Sequence, residues 1–200
     1  ALYDHADCFY DGIELLLPAH NAVYKPDDDV LELGRYWNWP SADAPIQGDI
    51  QKQFNTLFED AVRLRMRSDV QVGITLSGGL DSTAVMTVAE KQLEQGAARM
   101  TAFTSVYHSN TDAPGVDERD WATLAAEPCT QVDLQLVEAP RAYWLKTLRK
   151  IIKHMDGPGY SPAVFPLWNV CASATSQKVN VLLEGQGADE LLGGYPDYAA

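Results

Sequence analysis

Three cysteines in 200 residues, Cys8, Cys129 and Cys171, are too few and too far apart for a disulfide framework, and no C-x-x-C pair or histidine cluster marks a zinc site. No apolar run approaches the roughly 20 residues needed to cross a bilayer. No charged-then-apolar signal segment opens the chain. With no address visible, the cytoplasm is the expected compartment, and a membrane is not an expected partner. Positive charge is scarce: 15 Lys and Arg stand against 28 Asp and Glu, a net charge of −13. Such a surface repels nucleic-acid phosphate, and no basic stripe offsets it. Solubility is the ordinary consequence of that acidity. Internal repeats and low-complexity tracts are absent. The chain opens at Ala1 on no recognisable start and stops at Ala200 just past a motif, so it reads as a piece of a longer protein.

What is present is 46% hydrophobic residues, enough for one sizeable core. Residues 1–47 carry short apolar clusters among aromatics, Pro and Asp, and read as short strands and turns without an independent domain. From Asp49, a candidate N-cap, Ile50, Phe54, Leu57, Phe58, Ala61, Val62 and Leu64 recur mostly every three or four residues, which predicts an amphipathic helix to about Arg67. Strand-like runs follow near 70–76, 101–107, 131–137 and 178–183. Helical patterns lie near 81–95, 117–127, 141–155 and 165–176, with Asp112 or Asp117 as cap of the second and Pro140 at the start of the third. Strands alternating with helices predict a parallel sheet covered on both faces, with ligands at the carboxyl ends of its strands.

One such end reads VGITLSGGLDSTAV, residues 72–85. If the first half is a buried strand, Ser77-Gly78-Gly79 is the turn that follows it and Leu80 onward is a helix. First-turn N–H groups of a helix lack partners and carry the positive end of its dipole. Glycines there remove Cβ atoms that would block a ligand, and the hydroxyls of Ser77 and Ser82 can donate to oxygen; the set suits phosphate. No lysine follows, so this is not the loop that grips β- and γ-phosphates. Asp81 would repel a polyphosphate unless Mg²⁺ stood between, so the arrangement implies Mg–pyrophosphate. An ordinary junction capped by its serines is the alternative, but five fixed residues match by chance on the order of 10⁻⁴ times in a chain this long.

A second end, VLLEGQGADELLGGY at 181–195, repeats the plan. Gly185-Gln186-Gly187 forms the turn, Asp189 and Glu190 lie in the first helical turn where the dipole favours them, and Gly193-Gly194 ends the helix. If this strand neighbours the first, Asp189 stands near Asp81 and the two can share the magnesium.

The S-G-G-x-D-S string after a strand resembles the pyrophosphate loop of ATP pyrophosphatases, and G-x-G-A-D-E-x-x-G-G-Y resembles the synthetase domain of glutamine-dependent asparagine synthetases. FYDGIELLLPAH, RYWNWP, DAVRLRMRSDVQVGITLSGGLDS and DERDWATLAAE extend the likeness over nearly the whole chain. The resemblance implies a doubly wound, Rossmann-like α/β fold of the PP-loop (adenine nucleotide alpha hydrolase-like) type, incomplete at both ends. Residues 1–47 would be the end of a glutaminase domain and its link, and 48–200 the ATP-binding synthetase domain, cut short. The expected substrates are ATP, a carboxylate such as aspartate, and ammonia released from glutamine by the glutaminase domain of the same full-length chain. Adenylate maps onto Thr75, Ser105, Glu184 and Gly185. Mg–pyrophosphate maps onto Ser77, Gly79, Asp81, Ser82 and Asp189, with Gly78 and Leu80 completing the loop. Asp81 and Asp189 are the candidate metal ligands, and Asp81, Gln186, Asp189 and Glu190 the candidate catalytic residues.

Three departures stand out. Asparagine-forming members usually carry Ser-Gly-Glu-Gly where this chain has Glu184-Gly185-Gln186-Gly187, and Gln186 cannot act as a base. Leucine and valine usually stand at the adenine positions held here by Thr75 and Ser105. The family's N-terminal cysteine and its downstream lysine lie outside these residues, so this segment alone is expected to be inactive. Two other readings stay open: a related synthetase that amidates or ring-closes another carboxylate, and a nucleotide-binding module without chemistry. The oligomeric state, homodimer included, is undetermined by sequence.

Overall fold

Strand pairing divides the described residues into a small hairpin and a larger layered body. The computed structural model describes residues 8–40, 47–93, 98–107, 117–157 and 161–195. Backbone contacts split the chain into two units, Ala1–Ile50 and Gln51–Ala200. In the first, β1 (His20–Lys25) and β2 (Val30–Arg35) pair antiparallel from His20↔Arg35 to Lys25↔Val30. Tyr24 closes the turn by donating its hydroxyl to Asp29, 2.8 Å away. No residue from 8 to 40 is buried, so the hairpin has no core of its own.

The second unit follows the predicted alternation. Its elements are α1 (Ile50–Arg65), β3 (Val72–Thr75), α2 (Leu80–Lys91), β4 (Met100–Val106), α3 (Arg119–Ala126), β5 (Val132–Glu138), α4 (Trp144–Met155), α5 (Val164–Ser176), β6 (Val181–Leu183) and α6 (Ala188–Leu192). The helix predicted over 141–155 starts with a separate 3-10 turn, Arg141–Tyr143. Its cause is the Tyr143 N–H bonding back to the Pro140 carbonyl at 3.2 Å. Asp117 supports α3 by accepting from the Arg119 N–H at 3.0 Å; the alternative cap, Asp112, lies outside the described residues. Pro166 falls in the first turn of α5, where its missing N–H costs no helical bond.

The sheet order is β5-β4-β3-β6, all parallel. Alternate side chains feed two cores. On one face Ile74, Ala102, Val132 and Leu183 pack with Val62, Met86, Ala89 and Ala122 of α1, α2 and α3. On the other, Phe103 and Val137 pack with Val170 and Ala174 of α5. Burying each large side chain, Phe103 and Ile74 foremost, contributes roughly 1.5–3 kcal/mol. From β3 the chain steps outward through β4 and β5, then returns to the other side of β3 for β6. That reversal opens a crevice at the carboxyl ends of β3 and β6. No helix among the described residues is long and apolar enough to cross a membrane.

Glu90, near the end of α2, ties that helix to the turn before β5 by accepting from the Gln131 N–H at 2.8 Å. Burial alone would raise its pKa. Hydrogen bonds from Gln131, Cys129 and Thr130, with the charge of Arg99, outweigh burial and hold the carboxyl below its usual value. A carboxyl depressed on folding stabilises the fold above its unfolded pKa and loses that contribution as pH falls through the folded one. Glu90→Gln is therefore expected to lower the denaturant midpoint near pH 7, with the gap from wild type closing as pH drops below about 4. A gap unchanged between neutral and acid pH would show that the charge of Glu90 does not stabilise the fold.

Candidate functional site

The first turn is anchored before it begins. Leu76, fully buried, donates its N–H to the Phe103 carbonyl at 2.9 Å, and the buried Thr104 hydroxyl donates to the Leu76 carbonyl at 2.7 Å. Ser77 therefore leaves the sheet at a fixed point. The Ser77 and Ser82 hydroxyls lie 2.9 Å apart, and the Gly79 N–H donates to Ser77 Oγ at 3.2 Å. No side chain caps α2, which leaves its first turn available to a ligand.

The two glycines of this turn serve different ends. Gly78 has φ +79°, and a Cβ there would sit 2.4 Å from the Trp121 carbonyl carbon and 2.6 Å from the Ala122 nitrogen. Its missing side chain makes room for the backbone of α3, not for a ligand as the sequence argument supposed. A Cβ on Gly79 would meet only Ser77 Oγ, at 3.3 Å. Gly79 alone matches the expectation of an open approach.

The second turn lies beside the first because β6 pairs with β3, Ile74 opposite Leu183. Contact is close. A Cβ on Gly185 would lie 2.8 Å from the Ser82 nitrogen and 3.0 Å from Asp81 Cβ, so only glycine lets the turns meet. Farther on, the segment after α6 folds over Asp189: Gly194 donates its N–H to the Asp189 carbonyl at 3.0 Å, and a Cβ on Gly194 would overlap Asp189 Oδ1.

Between the turns is a cleft of about 360 Å³. It brings together Thr75, Ser77, Asp81, Ser82 and Ser105 from the first half of the sheet with Glu184, Gly185, Gln186 and Asp189 from β6 and its turn. Thr75 donates its hydroxyl to the Leu183 carbonyl at 3.4 Å. Ser105 Oγ is buried without a hydrogen-bond partner. Four predicted residues do not line it, Gly79 among them. Leu80, 85% exposed, borders instead an adjoining apolar groove lined by α1, α2, β6 and α6, which shares Asp81, Glu184, Gly185 and Gln186 with the cleft. Gly78 faces α3. Glu190 does not line the cleft; its exposed carboxylate accepts from the Tyr195 hydroxyl at 2.8 Å, and that bond holds it below its usual pKa.

Glu118, immediately before α3, lines the cleft and was not singled out from sequence. Desolvation, and then the neighbouring charge of Asp117, push its carboxyl above the usual range. A signal existed: in a parallel sheet the residue that opens the helix after a strand sits over that strand's carboxyl end. Asp81, Glu118, Glu184 and Asp189 thus border one cleft, and no basic side chain among the described residues lines it. A polyanion can enter only with a cation. Among the described residues no three His, Cys, Asp or Glu gather to hold a metal unaided. Two carboxylates fit Mg²⁺, which takes one or two from protein and its remaining ligands from phosphate and water.

A parallel sheet whose strand order reverses at β3, with two glycine turns meeting around an acidic cleft, defines a doubly wound α/β ligand-binding domain. The chain belongs to the asparagine synthase family, whose model matches residues 53–200. It is 34% identical over 196 residues to a putative glutamine-hydrolysing asparagine synthetase of Mycobacterium tuberculosis, covering 96% of this chain and 28% of that protein. It is 31% identical over 182 residues to glutamine-hydrolysing asparagine synthetase 1 of Bacillus subtilis, covering 90% and 27%. The chain thus spans under a third of the length of these relatives. Among solved structures, a glutamine-dependent NAD⁺ synthetase from Acinetobacter baumannii in complex with ADP is similar at 19% identity and TM-score 0.47, over 87% of this chain and 31% of that one.

Proposed function

We propose that residues 48–200 are the ATP-binding part of a longer glutamine-dependent ligase that makes asparagine from aspartate, with 1–47 as the end of its glutaminase domain and the link. The observation that carries this reading is the meeting of the two turns at Gly185, which puts the Ser77–Ser82 loop and Asp189 on one cleft. A carboxylate oxygen of aspartate attacks the α-phosphorus of ATP, and the bond to the β-phosphate oxygen breaks. Ammonia then attacks the acyl carbon, loses a proton, and expels AMP.

The chain's own part is electrostatic and positional. First-turn N–H groups of α2 and the Ser77 and Ser82 hydroxyls hold the departing pyrophosphate. Thr104 and the Phe103 carbonyl fix where that loop begins. Asp81 and Asp189 hold Mg²⁺, which offsets charge on the phosphates. Phe103, Leu167 and Val170 form an apolar wall that limits water.

Full-length protein given ATP, Mg²⁺, ammonium chloride and L-aspartate labelled with ¹⁸O in its side-chain carboxylate is expected to yield AMP, pyrophosphate and asparagine, with the label in AMP. ADP and phosphate as stoichiometric products would overturn the reading.

A further inference from the structure

Forming an amide from ammonia releases a proton, and the cleft must supply somewhere for it to go. Gln186 has no basicity near neutral pH. Asp81 and Asp189 are the two carboxylates suited to the cation. Glu184 follows β6, and its charge reaches Cys171 on α5, whose thiol is pushed up by burial and then by that charge. Glu118 remains. It stands on the β4 side of the cleft, while Gln186 stands on the β6 side, with β3 between.

The surroundings of Glu118 suit a group that takes up a proton. Asp117 precedes it, with one carboxylate oxygen accepting from the Arg119 N–H and the other from the Tyr107 N–H at 3.4 Å. The Arg119 guanidinium is turned toward the Tyr107 carbonyl, 3.4 Å away, and lies 3.8 Å from Asp117. Across the cleft stand Asp81, Glu184 and Asp189. The Glu118 carboxylate has no hydrogen-bond or ion-pair partner among the described residues. Desolvation, and then the charge of Asp117, act in one direction, and both favour the protonated form.

We infer that Glu118 is the proton acceptor for the attacking ammonia, serving from α3 where Gln186 cannot serve from β6. The nitrogen forms its bond to the acyl carbon, the carbon–oxygen bond to AMP breaks, and the surplus proton passes to a Glu118 carboxylate oxygen and then to water. The inference rests on the ligase reading above. It also places the base on the opposite wall from the Asp189 turn, so adenylation and amide formation draw on different residues.

The test separates those half-reactions in the full-length protein, with L-aspartate and ammonium chloride as substrates. Aspartate-dependent exchange of labelled pyrophosphate into ATP reads adenylation, and asparagine release reads the whole. Glu118→Gln is expected to lower asparagine release about 100-fold or more while exchange stays within about threefold, and Glu118→Asp to recover part of the loss. At a fixed concentration of free ammonia, the wild-type rate should fall as pH drops through the raised carboxyl pKa, because the base must be ionised; Glu118→Gln should lose that limb. Glu184→Gln, a change in the nucleotide pocket, is expected to lower both readouts together. Equal loss of exchange and release in Glu118→Gln, an unaffected release, or selective loss in Glu184→Gln would each overturn the inference. Failure of the ligase reading itself would show differently, as a wild type without aspartate-dependent exchange.

Discussion

Replacing Asp81 or Asp189 by asparagine is expected to slow magnesium-dependent pyrophosphate exchange in the full-length enzyme by about 100-fold. Replacing both should cost little more than either one, because two ligands of one ion act as a unit. The reason is on the cleft wall: both carboxylates border the same space, and no basic side chain among the described residues shares it. Without a cation their charges repel a polyphosphate; with one they draw it in. ATP affinity should fall less than turnover, since the loop hydroxyls and the first-turn N–H groups of α2 remain. Exchange rates across a magnesium titration, for wild type, both single variants and the double, check this. If Asp189→Asn exchanged at the wild-type rate with the same magnesium dependence, Asp189 would be only a carboxylate stabilising the first turn of α6.

Gly78→Ala is expected to act on the fold itself. At φ +79° an alanine carries a backbone cost of about 1–2 kcal/mol. Its methyl would also stand 2.4 Å from the Trp121 carbonyl carbon, inside the backbone of α3, which has no side-chain freedom to yield. Together these should destabilise the domain by about 3 kcal/mol or more, lowering Tm by about 10 °C. Gly79→Ala makes the informative comparison. At φ −70° alanine is at ease, and its methyl meets only the Ser77 hydroxyl at 3.3 Å. It should cost under about 1 kcal/mol in stability while impeding pyrophosphate exchange. Thermal melts of the two variants, beside exchange assays, check the pair. Equal destabilisation by both would show that the α3 contact does not set the requirement at position 78.

Much of this was legible in the amino-acid order alone, because the signals are local. Apolar spacing of three and four residues marks helices, and short β-branched runs mark strands. Glycine and hydroxyl residues at fixed offsets announce what a strand end can bind. The alternation of elements and the two motif turns therefore came from sequence, as did the likeness to the asparagine synthase family. Strand order is not local. That β6 returns beside β3, more than 100 residues away in sequence, depends on which apolar faces pack, and only this pairing brings Gly185 against Ser82 and Asp189 onto the cleft of Asp81. The same holds residue by residue. Gly78 is required by α3, about 43 residues on; Glu118 enters the cleft because α3 begins over β4; Glu190 turns to Tyr195, away from the cleft. Sequence determined which groups this chain carries at the ends of β3 and β6, since turn chemistry is written in neighbouring residues. Tertiary structure decided which of them face one another, because close approach between distant segments is set by packing.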